Sequence, residues 1–261
     1  MSRTFLRYVA LGDSSTEGLE DPDGQGGYRG WANRLAERIA ESQGSLLYAN
    51  LAVRGLRTRQ VLERQLEPAL AMRPDLATLF TGTNDVVAWR FDPGPVERDL
   101  GRMQRALIEG GSTVLSFTLP DLTEVLPFGQ RLAPRVRALN DAIRGACRDS
   151  GAILVDFATY PVASDLRLWN EDRFHANALG HQLIAAALAH ALGIPGSDDG
   201  WKRPFHEPLP ESSNGGLVWW HWARRHFLPW IWRHALGRSS ADGRTPKRPS
   251  LTLLTTGRTP S

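Results

Sequence analysis

Tyr8-Val9-Ala10-Leu11-Gly12-Asp13-Ser14-Ser15-Thr16-Glu17-Gly18 is the stretch around which the rest of the chain makes sense. The apolar run Tyr8–Leu11 reads as a buried parallel strand. Gly12 permits a tight turn straight after it. Ser14 then stands at the strand's carboxyl end, where open α/β sheets place ligands. A turn serine that merely caps backbone N–H groups has the same local sequence, so the remaining chain must decide between the two.

Strand and helix signals alternate up to about residue 194. Further strands are expected at Leu46–Asn50, Leu76–Phe80, Thr113–Leu119 and Ile153–Asp156. Between them lie apolar stripes at helical spacing: Trp31, Leu35 and Ile39; Val96, Leu100, Met103 and Leu107; Leu132, Val136, Leu139, Ile143 and Cys147. A helix from Thr58 to Leu70 contains Pro68, which should end or kink it. A last helix carries Ala178, Leu179, Ile184, Ala187, Leu188 and Ala191, with Asn177 as its cap. Five short strands separated by helices imply a parallel sheet covered on both faces.

The 261 residues are 41% hydrophobic and 23% charged, enough for an ordinary globular core. Residues 201–261 hold ten Lys/Arg against three Asp/Glu, a local +7, so residues 1–200 carry −4 of the formal +3. The basic character belongs to the tail and gives no reason to expect nucleic-acid binding by the main body. Cys147 is the single cysteine, which suits a reducing compartment, and its place on an apolar helix face reads as a core thiol. The N-terminus lacks the apolar run of a signal peptide, so the expected localisation is cytoplasmic.

Four segments come together at the carboxyl edge of such a sheet: Gly12-Asp13-Ser14; Asn50 through Gly55; Gly82-Thr83-Asn84-Asp85; and Asp172-Arg173-Phe174-His175. Their residue types suit acyl transfer. A serine hydroxyl is a weak nucleophile until a base takes its proton. His175 can be that base, because its ordinary pKa lies near working pH. Asp172, three residues earlier, can hold the ring in one tautomer if the loop turns locally. An oxyanion needs fixed donors, and the backbone N–H groups of Ser14 and Gly55 with the Asn84 amide can supply them. Asp172, His175 and His181 have no further ligand cluster around them, so no metal is expected and His181 reads as a helix histidine. The loop after the first strand has neither the lysine of a P-loop nor a G-x-G-x-x-G, and no cofactor is expected.

In order and spacing, Gly12-Asp13-Ser14, Gly55 after Asn50, Gly82-Thr83-Asn84-Asp85 and Asp172-x-x-His175-x-Asn177-x-x-Gly180-His181 resemble the blocks of the SGNH/GDSL hydrolases over roughly residues 4–194. The resemblance implies a three-layer α/β/α sandwich with a flavodoxin-like five-stranded parallel sheet, and metal-free ester or thioester hydrolysis. It also implies roles: Ser14 as nucleophile and donor, Gly55 and Asn84 as donors, His175 as base and Asp172 as its orienter. Thr16-Glu17-Gly18 departs from the Leu-containing form that names the family.

The resulting expectation is a catalytic domain over residues 1–194 that hydrolyses a small-molecule carboxylic ester through an acyl-enzyme. An acyltransferase would use the same residues. Specificity falls to the loops Glu20–Gly30, Val86–Pro95 and Leu122–Gln130. Residues 195–236 read as a linker and a Trp-rich extension, and 237–261 as a disordered basic tail. Five of nine tryptophans lie in Leu217–Leu236. With apolar residues around most of the wheel and Pro229 inside, that segment fits docking on the body better than peripheral membrane contact. A non-catalytic module that docks on a membrane or protein through this segment is the other class of reading, and fluorophosphonate labelling discriminates it from an enzyme with an activated serine.

Overall fold

A computed structural model describes residues 4–123, 125, 129–205 and 240–255. The Trp-rich segment Leu217–Leu236, and with it the docking expectation, lies outside the described residues.

The chain alternates as the apolar runs predict. The strands are β1 (Arg7–Gly12), β2 (Ser45–Asn50), β3 (Leu76–Phe80), β4 (Thr113–Phe117), β5 (Ile153–Val155) and β6 (Arg248–Thr255). The helices are α1 (Ser14–Glu17), α2 (Gly30–Gln43), α3 (Thr58–Ala71), α4 (Thr83–Val86), α5 (Pro93–Glu109), α6 (Gly129–Ser150) and α7 (Ala178–Leu192). The strand order is β5-β4-β3-β1-β2-β6. β1 to β5 are parallel, with Tyr8 in register with both Tyr48 and Leu76. The order β2-β1-β3-β4-β5 reverses direction at β1 and β3, the switch point at which doubly wound sheets bind ligands.

β1 is central and wholly apolar from Tyr8 to Leu11 because both faces are covered. α2 and α7 pack together over the sheet, and α3, α5 and α6 form the other group. Trp31, Leu35 and Ile39 bury the inner face of α2, each contributing roughly 1.5–3 kcal/mol by leaving water. The stacked Tyr8 and Tyr48 rings are 5.0 Å apart. Their hydroxyls meet Thr78 Oγ1 and Asn33 Oδ1, both at 2.8 Å, so neither is stranded in the core.

Three expectations need correction. The sheet has six strands and is mixed, because β6 pairs antiparallel with β2 from Ser45↔Thr255 to Asn50↔Arg248. Arg248–Thr255 therefore occupies a strand within the stretch expected to be a disordered tail. Its Leu251, Leu253 and Leu254 supply β-compatible side chains, and the open edge of β2 supplies the hydrogen-bonding partner. Finally, α3 continues past Pro68 to Ala71. Pro68 falls in its last turn, so little helix remains beyond the lost bond. Among the described residues no helix is long and apolar enough to cross a membrane.

Candidate active site

The site begins with the turn after β1. A Cβ on Gly12 would stand 2.3 Å from the Phe80 carbonyl oxygen, so only glycine lets β1 and β3 approach this closely. Gln65 grips the same residue from α3. Gly12 N–H donates to Gln65 Oε1 and Gln65 Nε2 donates to Gly12 O, both at 2.8 Å. Asp13 caps α1 by accepting from Ser15 N–H at 3.2 Å. Ser14 thus opens α1 on a clamped backbone. Ser15 turns away toward α2, where Trp31 Nε1 donates to its Oγ at 3.3 Å.

His175 reaches Ser14 from the loop between β5 and α7. Its Nε2 lies 3.0 Å from Ser14 Oγ, and its Nδ1 lies 2.6 Å from Asp172 Oδ2. The local turn that this pairing needs is present: Arg173 adopts φ +61°. Phe174 N–H and His175 N–H both donate to Asp172 Oδ1, at 2.9 and 3.0 Å. One carboxylate oxygen is therefore fixed by backbone and the other faces the ring. Asn177 caps α7 by accepting from Leu179 and Gly180 N–H, which sets where the loop ends.

The charges follow from this arrangement. Burial opposes ionisation of Asp172, but His175 and the two backbone N–H groups hold its carboxyl below the usual range. Burial also works against an imidazolium at 175, and the Asp172 hydrogen bond and charge outweigh it, leaving the ring above its ordinary value. Burial pushes Asp13 up to about 7, with Ser15 N–H and His175 pulling against the rise and Asp85 adding to it.

Asn84 opens α4 beyond β3. Its Nδ2 donates to Leu56 O at 3.0 Å and approaches Asp13 Oδ2 at 3.4 Å. Gly55 belongs to the loop that Leu56 anchors, with φ +81°. Next to it, Arg54 is paired with Glu17 of α1. Gly55 is not among the described residues lining the cavity at Ser14, and a Cβ on it would stand 2.1 Å from Ser240 Oγ. The structure therefore brings Ser14, Asn84, Asp172 and His175 to one cavity, with Gly55 on an adjoining loop.

Several residues of this region escaped the sequence reading. Gln65 is the clearest: a buried polar residue between Leu62 and Leu66 on the inner face of α3 is a signal that a partner awaits it. Asp13 is fully buried. Asn50 spans the turn, donating to Thr16 O at 2.8 Å and accepting from Ala52 N–H at 3.0 Å. His181, read from the sequence as a helix histidine, is buried on α7; what the sequence did not show is that it donates from Nε2 to Leu19 O at 2.8 Å and accepts Trp31 N–H at Nδ1. That is a structural bridge from α7 to both ends of the α1–α2 connection. Among the described residues no cluster of three or more His, Cys, Asp or Glu side chains is arranged to hold a metal.

A cavity of about 290 Å3 opens at Ser14 and His175. Val86, Val87 and Leu122 bring two of the three expected specificity loops to its wall, while Glu20–Gly30 contributes no described lining residue.

Comparison with known proteins fits this architecture. No curated protein matches the sequence. Among solved structures, the psychrotrophic esterase EstA from Pseudoalteromonas sp. superposes with a TM-score of 0.57 at 16% identity, covering 72% of this chain and 96% of that one. The lipase/acylhydrolase from Enterococcus faecalis gives 0.60 at 20% identity, covering 75% and 100%. Axe2, an acetylxylan esterase from Geobacillus stearothermophilus, gives 0.61 at 15% identity, covering 78% and 100%. At such identities the likeness is one of fold. The profile of the GDSL-like Lipase/Acylhydrolase family, however, matches residues 10–183, which take in all four segments of the site. The chain belongs to the GDSL-like lipase/acylhydrolase family, a family of carboxylic ester hydrolases.

Proposed function

We propose that the protein hydrolyses a carboxylic ester through an acyl-enzyme on Ser14. The single observation that carries this reading is the chain Ser14 Oγ, His175 Nε2, His175 Nδ1, Asp172 Oδ2, with contacts of 3.0 and 2.6 Å at the mouth of a cavity. In the neutral tautomer set by Asp172, Nδ1 carries the proton and Nε2 is free to accept. His175 takes the Ser14 proton as Oγ attacks the ester carbonyl carbon. The carbonyl oxygen becomes an oxyanion held by Ser14 N–H, Gly55 N–H and Asn84 Nδ2. His175 then gives its proton to the departing alkoxide. Water then attacks the acyl carbon as His175 takes its proton, the acyl–Oγ bond breaks, and His175 returns the proton to Ser14 Oγ as the acid leaves.

In this account Asn84 exchanges its long contact with Asp13 for the oxyanion, while its Leu56 hydrogen bond keeps the amide in place. We assign catalysis to residues 1–194, with 240–255 completing the edge of the sheet. The test is hydrolysis of p-nitrophenyl esters by wild type, Ser14→Ala and His175→Ala. Activity should fall by at least about 10^4-fold in both, because the residues act as a unit. Appreciable turnover by pure, folded Ser14→Ala would overturn the assignment.

A further inference from the structure

Resting on that esterase reading, we propose that the cavity beside Ser14 is an acyl-chain pocket and that the substrate is an ester of a straight apolar acid of about six to ten carbons. The cavity runs from Ser14 and His175 to Phe80, Phe117 and Phe157, three aromatics buried in the main core. Another part of its wall is a small separate cluster, Leu122 with Trp169 and Phe174 packed beside it, and Leu132 packs against both clusters. Close-packed interiors leave few voids larger than a water molecule. An apolar space of about 290 Å3 held open between two clusters, with a nucleophile at its mouth, has the build of a ligand site.

The polar atoms along it indicate what does not enter. Thr118 Oγ1 is already committed, donating to Asp156 Oδ1 at 2.7 Å and accepting from Ala158 N–H at 3.0 Å. Ser15 Oγ accepts from Trp31 Nε1, and the Ser15 and Thr83 hydroxyls are the further side-chain hydroxyls on the described wall. Beyond these and the reacting groups the wall is largely hydrocarbon, so a sugar lodged here would leave most of its hydroxyls unpaired, which is costly. A hydrocarbon chain loses nothing by the exchange. A dry cavity of about 150 Å3 accommodates a benzene, six carbons. By that measure this one takes roughly twice as many, less the share at the mouth filled by the ester itself.

The test is a chain-length series of p-nitrophenyl esters, from acetate to myristate, with the full chain and with Leu132→Trp and Ile184→Trp. These two side chains line the cavity from α6 and α7 and are only partly buried, so each replacement fills the space from a different element. The readout is the ratio of octanoate to acetate kcat/KM within each protein. Burying a methylene is worth about fourfold, so the wild-type ratio should be at least about 100, with the maximum between six and ten carbons. Either folded tryptophan variant should lower that ratio at least about 30-fold. A flat profile, a maximum at acetate, or an unchanged ratio in a folded variant would overturn the inference. These outcomes differ from failure of the esterase reading, in which no ester is turned over and Ser14 takes no fluorophosphonate label.

Discussion

Asn84 Nδ2 stands 3.4 Å from Asp13 Oδ2, while the same amide nitrogen donates to Leu56 O at 3.0 Å. Both amide hydrogens are thereby accounted for, one by a strong bond and one by a long contact that is easily given up. Asn84→Ala should lower kcat roughly 10^2–10^3-fold, the usual consequence of losing one oxyanion donor. KM should change little, since the interaction forms in the transition state. Steady-state kinetics on one good ester decides it, and an effect confined to KM would assign Asn84 to ground-state binding.

With His175 as the proposed base, the pH profile reports on its ring. The base must be neutral, so activity should fall as pH drops through its pKa, which Asp172 holds above the ordinary 6.5. Asp172→Asn removes that charge and should move the midpoint of the acid limb of kcat/KM downward, while also lowering kcat by weakening tautomer control. A limb that stays in place in Asp172→Asn would show that another group titrates.

A different pH dependence belongs to the fold. Burial pushes His181 down to about 4, with its Leu19 hydrogen bond and Asp21 opposing the drop. Below its unfolded value near 6.5 the unfolded chain binds this proton and the folded chain does not, so stability is lost as pH falls from about 6.5 to 4. Asp13 acts oppositely: its raised folded pKa favours the native state as pH falls from about 7 toward 4. The clean readout is therefore a difference. Urea denaturation should give His181→Gln a pH dependence lacking this acid loss, and equal slopes for the two proteins would refute the bridge.

Deleting residues 240–261 should expose the edge of β2 and remove Ala241 from the core, where it is 3% exposed. It also removes Lys247, whose Nζ donates to the Tyr28 and Arg29 carbonyls at 2.8 and 2.9 Å. A fall in Tm of about 5–10 °C is expected for the loss of a few kcal/mol in a domain of this size. Calorimetry on the shortened chain is the check, and an unchanged Tm would make β6 a passive appendage.

Much of this architecture was legible because it rests on local patterns. The strand cores at Tyr8–Leu11, Leu46–Asn50 and Leu76–Phe80 are apolar runs bounded by turn residues, and Asp172 lies three residues from His175. What escaped reading depends on distant partners. Gln65 makes sense only beside Gly12, 53 residues away. Arg248–Thr255 becomes a strand because β2 has a free edge, which no composition reveals. The stripe Leu132, Val136, Leu139 and Ile143 reads as one core face of α6. In the structure its first two residues also line the cavity, and Leu132 packs against both the main core and the small cluster around Leu122. Periodicity reports which face of a helix is apolar and not whether protein or ligand will cover it.

The most direct test of the account is covalent labelling with a fluorophosphonate followed by peptide mass spectrometry. It requires a serine activated by a neighbouring base. One adduct per chain, on the peptide carrying Ser14, is expected in the wild type, with none in Ser14→Ala and strongly slowed labelling in His175→Ala. An adduct on another residue, or labelling that persists in Ser14→Ala, would contradict it.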